Sequence, residues 1–164
     1  MSLSQVMMEA ERAMQDGEWE LAQARYQQAL DISPENARAD LGLRNARRAV
    51  TKEEELEDQI AEADATFEAG DYREAARQYA QVMEYAADIP RNLNYHPYLE
   101  QRRNQAKDLD LWKKRVQEVQ REARRLREQG AWGKMGEVLE ALLEQMPESP
   151  IYQPLIEELE EGRK

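Results

Sequence analysis

One short pattern occurs three times in this chain: a glycine, an aromatic residue two positions later, and then apolar residues at helical spacing. The pairs are Gly17 and Trp19, Gly70 and Tyr72, and Gly130 and Trp132. Glycine tolerates the left-handed conformation that ends a helix. Each copy therefore predicts a helical hairpin, in which one helix ends at the glycine and a second helix follows the aromatic residue.

The helix after each glycine has apolar residues at i, i+4, i+7 and i+8, which lie on one helix face. They are Ala22, Tyr26, Ala29 and Leu30, then Ala75, Tyr79, Val82 and Met83, then Met135, Leu139, Leu142 and Leu143. In the first two copies the small first residue, alanine, allows close approach of two helices, and the larger residues fill the groove between them. We expect Tyr26 and Tyr79 to be buried against Ala10 and Ala63 of the preceding helices.

With these residues the chain resembles the tetratricopeptide repeat (TPR) family, whose unit is a 34-residue helix–turn–helix. In the first copy the matching residues are Gly17, Trp19, Ala22, Tyr26, Ala29 and Pro34. The third copy has Met135 in place of the first alanine, and the second has Ala87 in place of the proline. The resemblance implies an all-α fold of antiparallel helical hairpins stacked as a short TPR-like solenoid.

Two predicted helices are much longer than those of the family. Residues 37–69 contain no proline and one glycine, and Tyr98 to Gln129 contain neither. A loop at 88–97, which includes His96, separates the second hairpin from the third. Gly130 also follows Gly70 by 60 residues instead of 34. We expect one domain with units of about 3–36, 37–96 and 97–149 and a capping helix at 150–161.

The first long stretch has two interpretations. Its small and apolar residues follow a heptad-like 3–4 spacing that includes one charged member. They are Ala39, Gly42, Ala46, Ala49, Glu53, Leu56, Ile60, Ala63 and Phe67. Alternatively, Thr51 and Glu54 match a capping box that starts a new helix. We favour a single long helix.

The composition points away from catalysis. The chain has no cysteine and one histidine, His96, next to Pro97. Neither a thiolate nucleophile nor a histidine–cysteine metal site can be built from these residues. Runs such as Glu53–Glu55 are typical of solvated helix faces. We therefore predict a protein that is not an enzyme and needs no cofactor or metal.

Charge limits the choice of partners. The formal net charge of −11 opposes binding to nucleic acid or to an anionic membrane. Residues 97–129 are the exception, with 10 basic and six acidic side chains. There Lys107, Lys114 and Arg121 recur every seven residues, as a stripe that either pairs within the molecule or binds an acidic peptide. The cysteine-free composition fits a reducing compartment, and we expect a cytoplasmic protein.

The TPR resemblance also implies a binding surface, because the first helix of each family hairpin lines a concave face. The matching positions are Met7, Glu11, Met14, Asp64, Arg121 and Arg124. Methionines suit adaptable peptide binding, although for those on the first helix we favour ordinary packing at an end of the stack. We predict a protein–protein interaction scaffold that binds a peptide or another domain of a larger parent protein. The alternative is a homo-oligomerisation module in which the long helices form a coiled coil.

Overall fold

The structure is a computed structural model that describes residues 1–87 and 95–163. Over these residues the chain folds into seven α-helices and one 3₁₀ helix, and the predicted all-α class is confirmed. The α-helices are α1 (Leu3–Asp16), α2 (Trp19–Ile32), α3 (Ala37–Glu68), α4 (Tyr72–Tyr85), α5 (Tyr95–Glu128), α6 (Trp132–Gln145) and α7 (Gln153–Glu161). The 3₁₀ helix, Pro150–Tyr152, precedes α7. From α1 to α6, each helix packs mainly against its neighbours in the chain.

The three glycines end helices as predicted. Gly17, Gly70 and Gly130 have φ of 77°, 83° and 75°, all in the left-handed region. At each turn the glycine amide donates to the carbonyl three residues earlier, and the next amide donates to the carbonyl five residues before it. These bonds satisfy carbonyls that the end of the helix leaves open. The three hairpin turns therefore share one backbone geometry.

The first long stretch is a single helix, as we favoured. Thr51 lies inside α3 and does not cap a new helix. Its hydroxyl donates to the carbonyl of Arg47 at 3.2 Å, the bond that a mid-helix threonine makes to the preceding turn. A capping box would need the same oxygen to accept from the amide of Glu54.

Buried side chains form two clusters, and α3 takes part in both. The N-terminal cluster joins α1, α2 and the first part of α3, through Val6, Met7, Ala10, Ala13, Ala22, Tyr26, Ala29, Ala39, Leu43 and Ala46. The larger cluster joins the last part of α3 to α4, α5, α6 and α7. Tyr26 and Tyr79 are 6% and 0% exposed, so their predicted burial is confirmed. None of the residues between Ala46 and Leu56 is buried.

The buried face of α3 differs in part from the predicted seam. Leu43 is buried, and Gly42 and Ala49 are half-buried. The face that a helix buries in a globular core is wider than a strict 3–4 seam. Leu43 lies four residues after Ala39 and three before Ala46, so it shares their buried face although the predicted seam leaves it out.

The start of α5 corrects the predicted loop. Residues 88–94 lie outside the described part of the chain, but Tyr95, His96 and Pro97 belong to the first turn of α5. Proline fits the first turn of a helix because its missing amide has no intrahelical partner there. The last helix also begins later than predicted, since Ile151 is in the 3₁₀ turn that precedes α7.

Candidate functional site

The three candidate residues on α1 make contacts within the molecule. Met7 is buried in the N-terminal cluster, and Met14 packs against it from the edge. Glu11 is half-buried and pairs with Arg38 of α3. Only part of this predicted surface therefore faces solvent, and its peptide-binding role stays a prediction.

Asp64, the candidate on α3, lies in a polar network beside α4 and α5. The hydroxyl of Tyr79 donates to it, and the hydroxyl of Tyr98 lies 2.9 Å from both of its carboxylate oxygens. Arg102 approaches Asp64 and Glu68 at 3.7 Å each, and its guanidinium lies 3.9 Å from the ring centroid of Phe67. Burial, and then the bond to Asp64, raise the pKa of Tyr79. This network holds α5 against α3.

Arg121 and Arg124, the candidates on α5, are exposed. Arg124 borders a cavity of about 220 Å³, whose other lining residues are Gln120, Ala123, Arg127, Met135, Leu139 and Gly162. The basic stripe is partly paired within its own helix, because Lys114 lies 3.2 Å from Asp110. No hydrogen bond or ion pair among the described residues joins these arginines to the candidates on α1 or to Asp64.

A cleft of about 450 Å³ lies between the first hairpin turn and the middle of α3. Its lining consists of Gly17, Glu18, Trp19, Glu20, Val50, Glu53, Glu54 and Glu57. Trp19 and Val50 are half-buried, so the cleft has an apolar part. Five carboxylates surround that part of the cleft, so its lining is strongly acidic.

Tyr95 holds two of the cleft carboxylates in place. Its hydroxyl lies 3.4 Å from an oxygen of Glu53 and 3.4 Å from an oxygen of Glu57. Burial and these two carboxylates together raise the pKa of Tyr95 to about 12, so the hydroxyl stays protonated and donates. Glu53 is half-buried, whereas Glu57 is exposed.

The other three carboxylates of the cleft, those of Glu18, Glu20 and Glu54, are exposed. Within residues 1–87 and 95–163 no ion pair neutralises them. The described residues also contain no cluster of carboxylates and imidazoles arranged to hold a metal ion. Uncompensated carboxylates around an aromatic ring instead suit an organic cation, which gains from both the charges and the ring face.

Sequence reasoning missed this cleft. The sequence pattern placed Trp19 only between the two helices of the first hairpin, and Glu53–Glu55 on a solvated face. The available signal was the aromatic residue that follows each glycine, but the contact with α3 depends on how α3 crosses the first turn. A rule based on residue spacing within one helix cannot predict where that helix crosses another part of the chain.

Comparison with known proteins gave no match to a protein-family model, a curated protein or a solved structure. Among the described helices, none combines the length and the apolar character needed to cross a bilayer.

Proposed function

We propose that this protein is a non-enzymatic interaction scaffold of the cytoplasm, built as a short TPR-like solenoid. The cleft at Trp19 forms part of its binding surface, and the partner is a basic segment of another protein or of another domain of a larger parent. The supporting architecture is the serial packing of α1 to α6 with three turns of one geometry. Such stacks hold a shaped surface rigid without a chemical step.

The observation that carries this proposal is the acidic lining of the Trp19 cleft. Glu18, Glu20 and Glu54 add negative charge beside an accessible ring, and the described chain does not neutralise it. Like charges held close together destabilise the free protein, and a basic ligand relieves their repulsion. The same charges set the orientation of a partner and speed its association.

The candidates predicted on the concave face remain a second part of the proposal. Arg121 and Arg124 are its exposed members and carry the opposite charge to the cleft. A partner that contacts both regions would need a basic part for the cleft and an acidic part for α5. Reversing the charge of both arginines would then weaken binding, whereas a partner confined to the cleft would be unaffected.

Coiled-coil oligomerisation is the rival function, and burial within one chain speaks against it. The apolar residues that would form the seam of α3, such as Leu56, Ala63 and Phe67, are covered by helices of the same molecule. On α5, Leu109 and Val116 are covered in the same way. Little of either seam is therefore exposed for a coiled coil with a second copy of the chain.

A peptide array tests the proposal. Synthetic peptides of equal length, graded in net charge, are probed with the purified chain, and light scattering measures its mass in parallel. We expect a monomer that retains basic peptides, with retention that falls as salt screens charges beyond about 8 Å. Retention that is independent of peptide charge, or a stable oligomer that retains no peptide, would reject the scaffold.

A further inference from the structure

The second hairpin turn binds a lysine side chain of the same molecule. The ammonium of Lys113, on α5, donates to the carbonyl of Gly70 at 2.7 Å and lies 5.7 Å from the ring centroid of Tyr72. The carbonyl belongs to the turn just beyond the end of α3, and the ring of Tyr72 offers its negative face to the cation. The following long helix thus supplies a lysine to the turn.

The first turn presents the same two groups. Gly17 and Gly70 have nearly equal φ, and the amides around them make the same pattern of hydrogen bonds. Trp19 follows Gly17 as Tyr72 follows Gly70. Tryptophan is a better cation acceptor than tyrosine because its ring is larger and richer in electrons. The first turn is therefore equipped to hold a lysine at least as well as the second.

The helix that follows the first turn supplies an anion instead. Burial repeats along α3 and α5 at an offset of 60 residues, in the pairs Ala46 and Ala106, Leu56 and Val116, and Ala63 and Ala123. At this offset the position of Lys113 corresponds to Glu53. Glu53 lines the cleft and cannot donate to a carbonyl when ionised. Where the second turn has the ammonium of Lys113, the first turn therefore has an open cleft and a negative charge.

No other cation of the described chain takes this place. Arg127 lies 5.4 Å from the ring centroid of Trp132 at the third turn, and Lys113 serves the second. Lys52, on the same helix as the cleft carboxylates, lies 5.0 Å from the ring centroid of Tyr85. Across residues 1–87 and 95–163 no lysine or arginine lies over Trp19.

We infer that the cleft receives a lysine side chain of the partner protein, held as Lys113 is held at the second turn. The ammonium donates to the carbonyl of Gly17 and lies over the ring of Trp19, while Glu53 and Glu54 balance its charge. This inference rests on the proposed function and names the group that the scaffold recognises. Acetylation of that lysine would remove its charge and prevent binding.

Fluorine NMR of protein labelled with 5-fluorotryptophan tests this lysine-binding site directly. The Trp19 resonance is assigned from the Trp19→Phe variant. The probe is the peptide acetyl-Gly-Lys-Gly-Lys-Gly-amide, and its matched control carries acetyl-lysine at both lysine positions. We expect the lysine peptide to shift the Trp19 resonance and to leave those of Trp112 and Trp132 in place. The acetylated peptide should shift none of them.

Glu53→Lys supplies the missing cation from within the chain and should weaken binding of the lysine peptide at least about tenfold. Glu54→Lys, at an exposed cleft position, gives a second test if Glu53→Lys does not fold. Glu62→Lys makes the same charge change at an exposed site outside the cleft and should cost less than about threefold. Equal losses of affinity in the cleft variants and the control variant, or a Trp19 resonance that the lysine peptide does not shift, would overturn the proposed lysine-binding site. The scaffold would still stand if the array retained basic peptides.

Discussion

The backbone of Gly42 in α3 lies directly against the ring of Tyr26 in α2. A β-carbon at Gly42 would lie 2.3 Å from Cε1 and 2.4 Å from Cζ of that ring, far inside van der Waals contact. Tyr26 is itself buried in the N-terminal cluster. The absence of a side chain at position 42 therefore sets how closely α3 approaches the first hairpin.

Gly42→Ala should consequently destabilise the protein, although alanine is the better helix former. Overpacking of a buried contact costs about 1–3 kcal/mol, which exceeds the gain of about 0.5–1 kcal/mol in helix propensity. Gly136→Ala is the matched control, because a β-carbon at this helical position of α6 would meet nothing within 4 Å. Denaturant melts should show a loss for the first variant and a gain for the second. A gain for both would contradict the close approach.

Tyr79 should contribute both packing and a hydrogen bond. It is 0% exposed, and its hydroxyl donates to Asp64. Tyr79→Ala should cost on the order of 3 kcal/mol, the range for truncating a large buried aromatic residue. Tyr79→Phe keeps the ring and should cost about 1 kcal/mol for the lost hydrogen bond. Thermal melts of both variants that match the parent would refute this packing.

Local sequence patterns predicted the helices and their buried tyrosines because these depend on residues within one or two turns. Tyr26 and Tyr79 occupy a face that spacing alone identifies. The burial of Leu43 was missed because a strict 3–4 seam selects a narrower face than the one that a helix buries in a globular core. The cleft at Trp19 was missed for another reason: it requires residues 17–20 and 50–57 to meet, and only the crossing of α3 over the first turn determines that.

The two halves of α3 should differ in hydrogen exchange. Its first half is buried through Ala39, Leu43 and Ala46, whereas its second half buries larger side chains such as Leu56 and Phe67. Burial contributes about 25 cal/mol per Å² of apolar surface, so small residues stabilise less. We expect faster exchange over 37–50 than over 56–68 in dilute protein. Uniform protection along the helix would contradict this difference.

Stability should fall at alkaline pH because native tyrosines resist ionisation. Burial together with nearby carboxylates raises the pKa of Tyr95 and of Tyr152 to about 12, against about 10 in an unfolded chain. The stabilisation that a raised native pKa gives is fully present below pH 10 and is lost as the pH rises toward 12. Urea midpoints measured between those values should decline. They should decline less steeply in Tyr95→Phe, and an unchanged slope in that variant would contradict the assignment.

The affinity of a basic peptide for the intact chain decides whether the Trp19 cleft is part of the binding surface. Calorimetric titration with the best peptide of the array would compare the double variants Glu18→Gln/Glu54→Gln and Glu35→Gln/Glu62→Gln. Both pairs remove two exposed charges, but only the first pair lines the cleft. We expect about a tenfold loss of affinity for the cleft pair and little change for the other. Equal losses for the two pairs would contradict this expectation, because binding would then follow net charge alone.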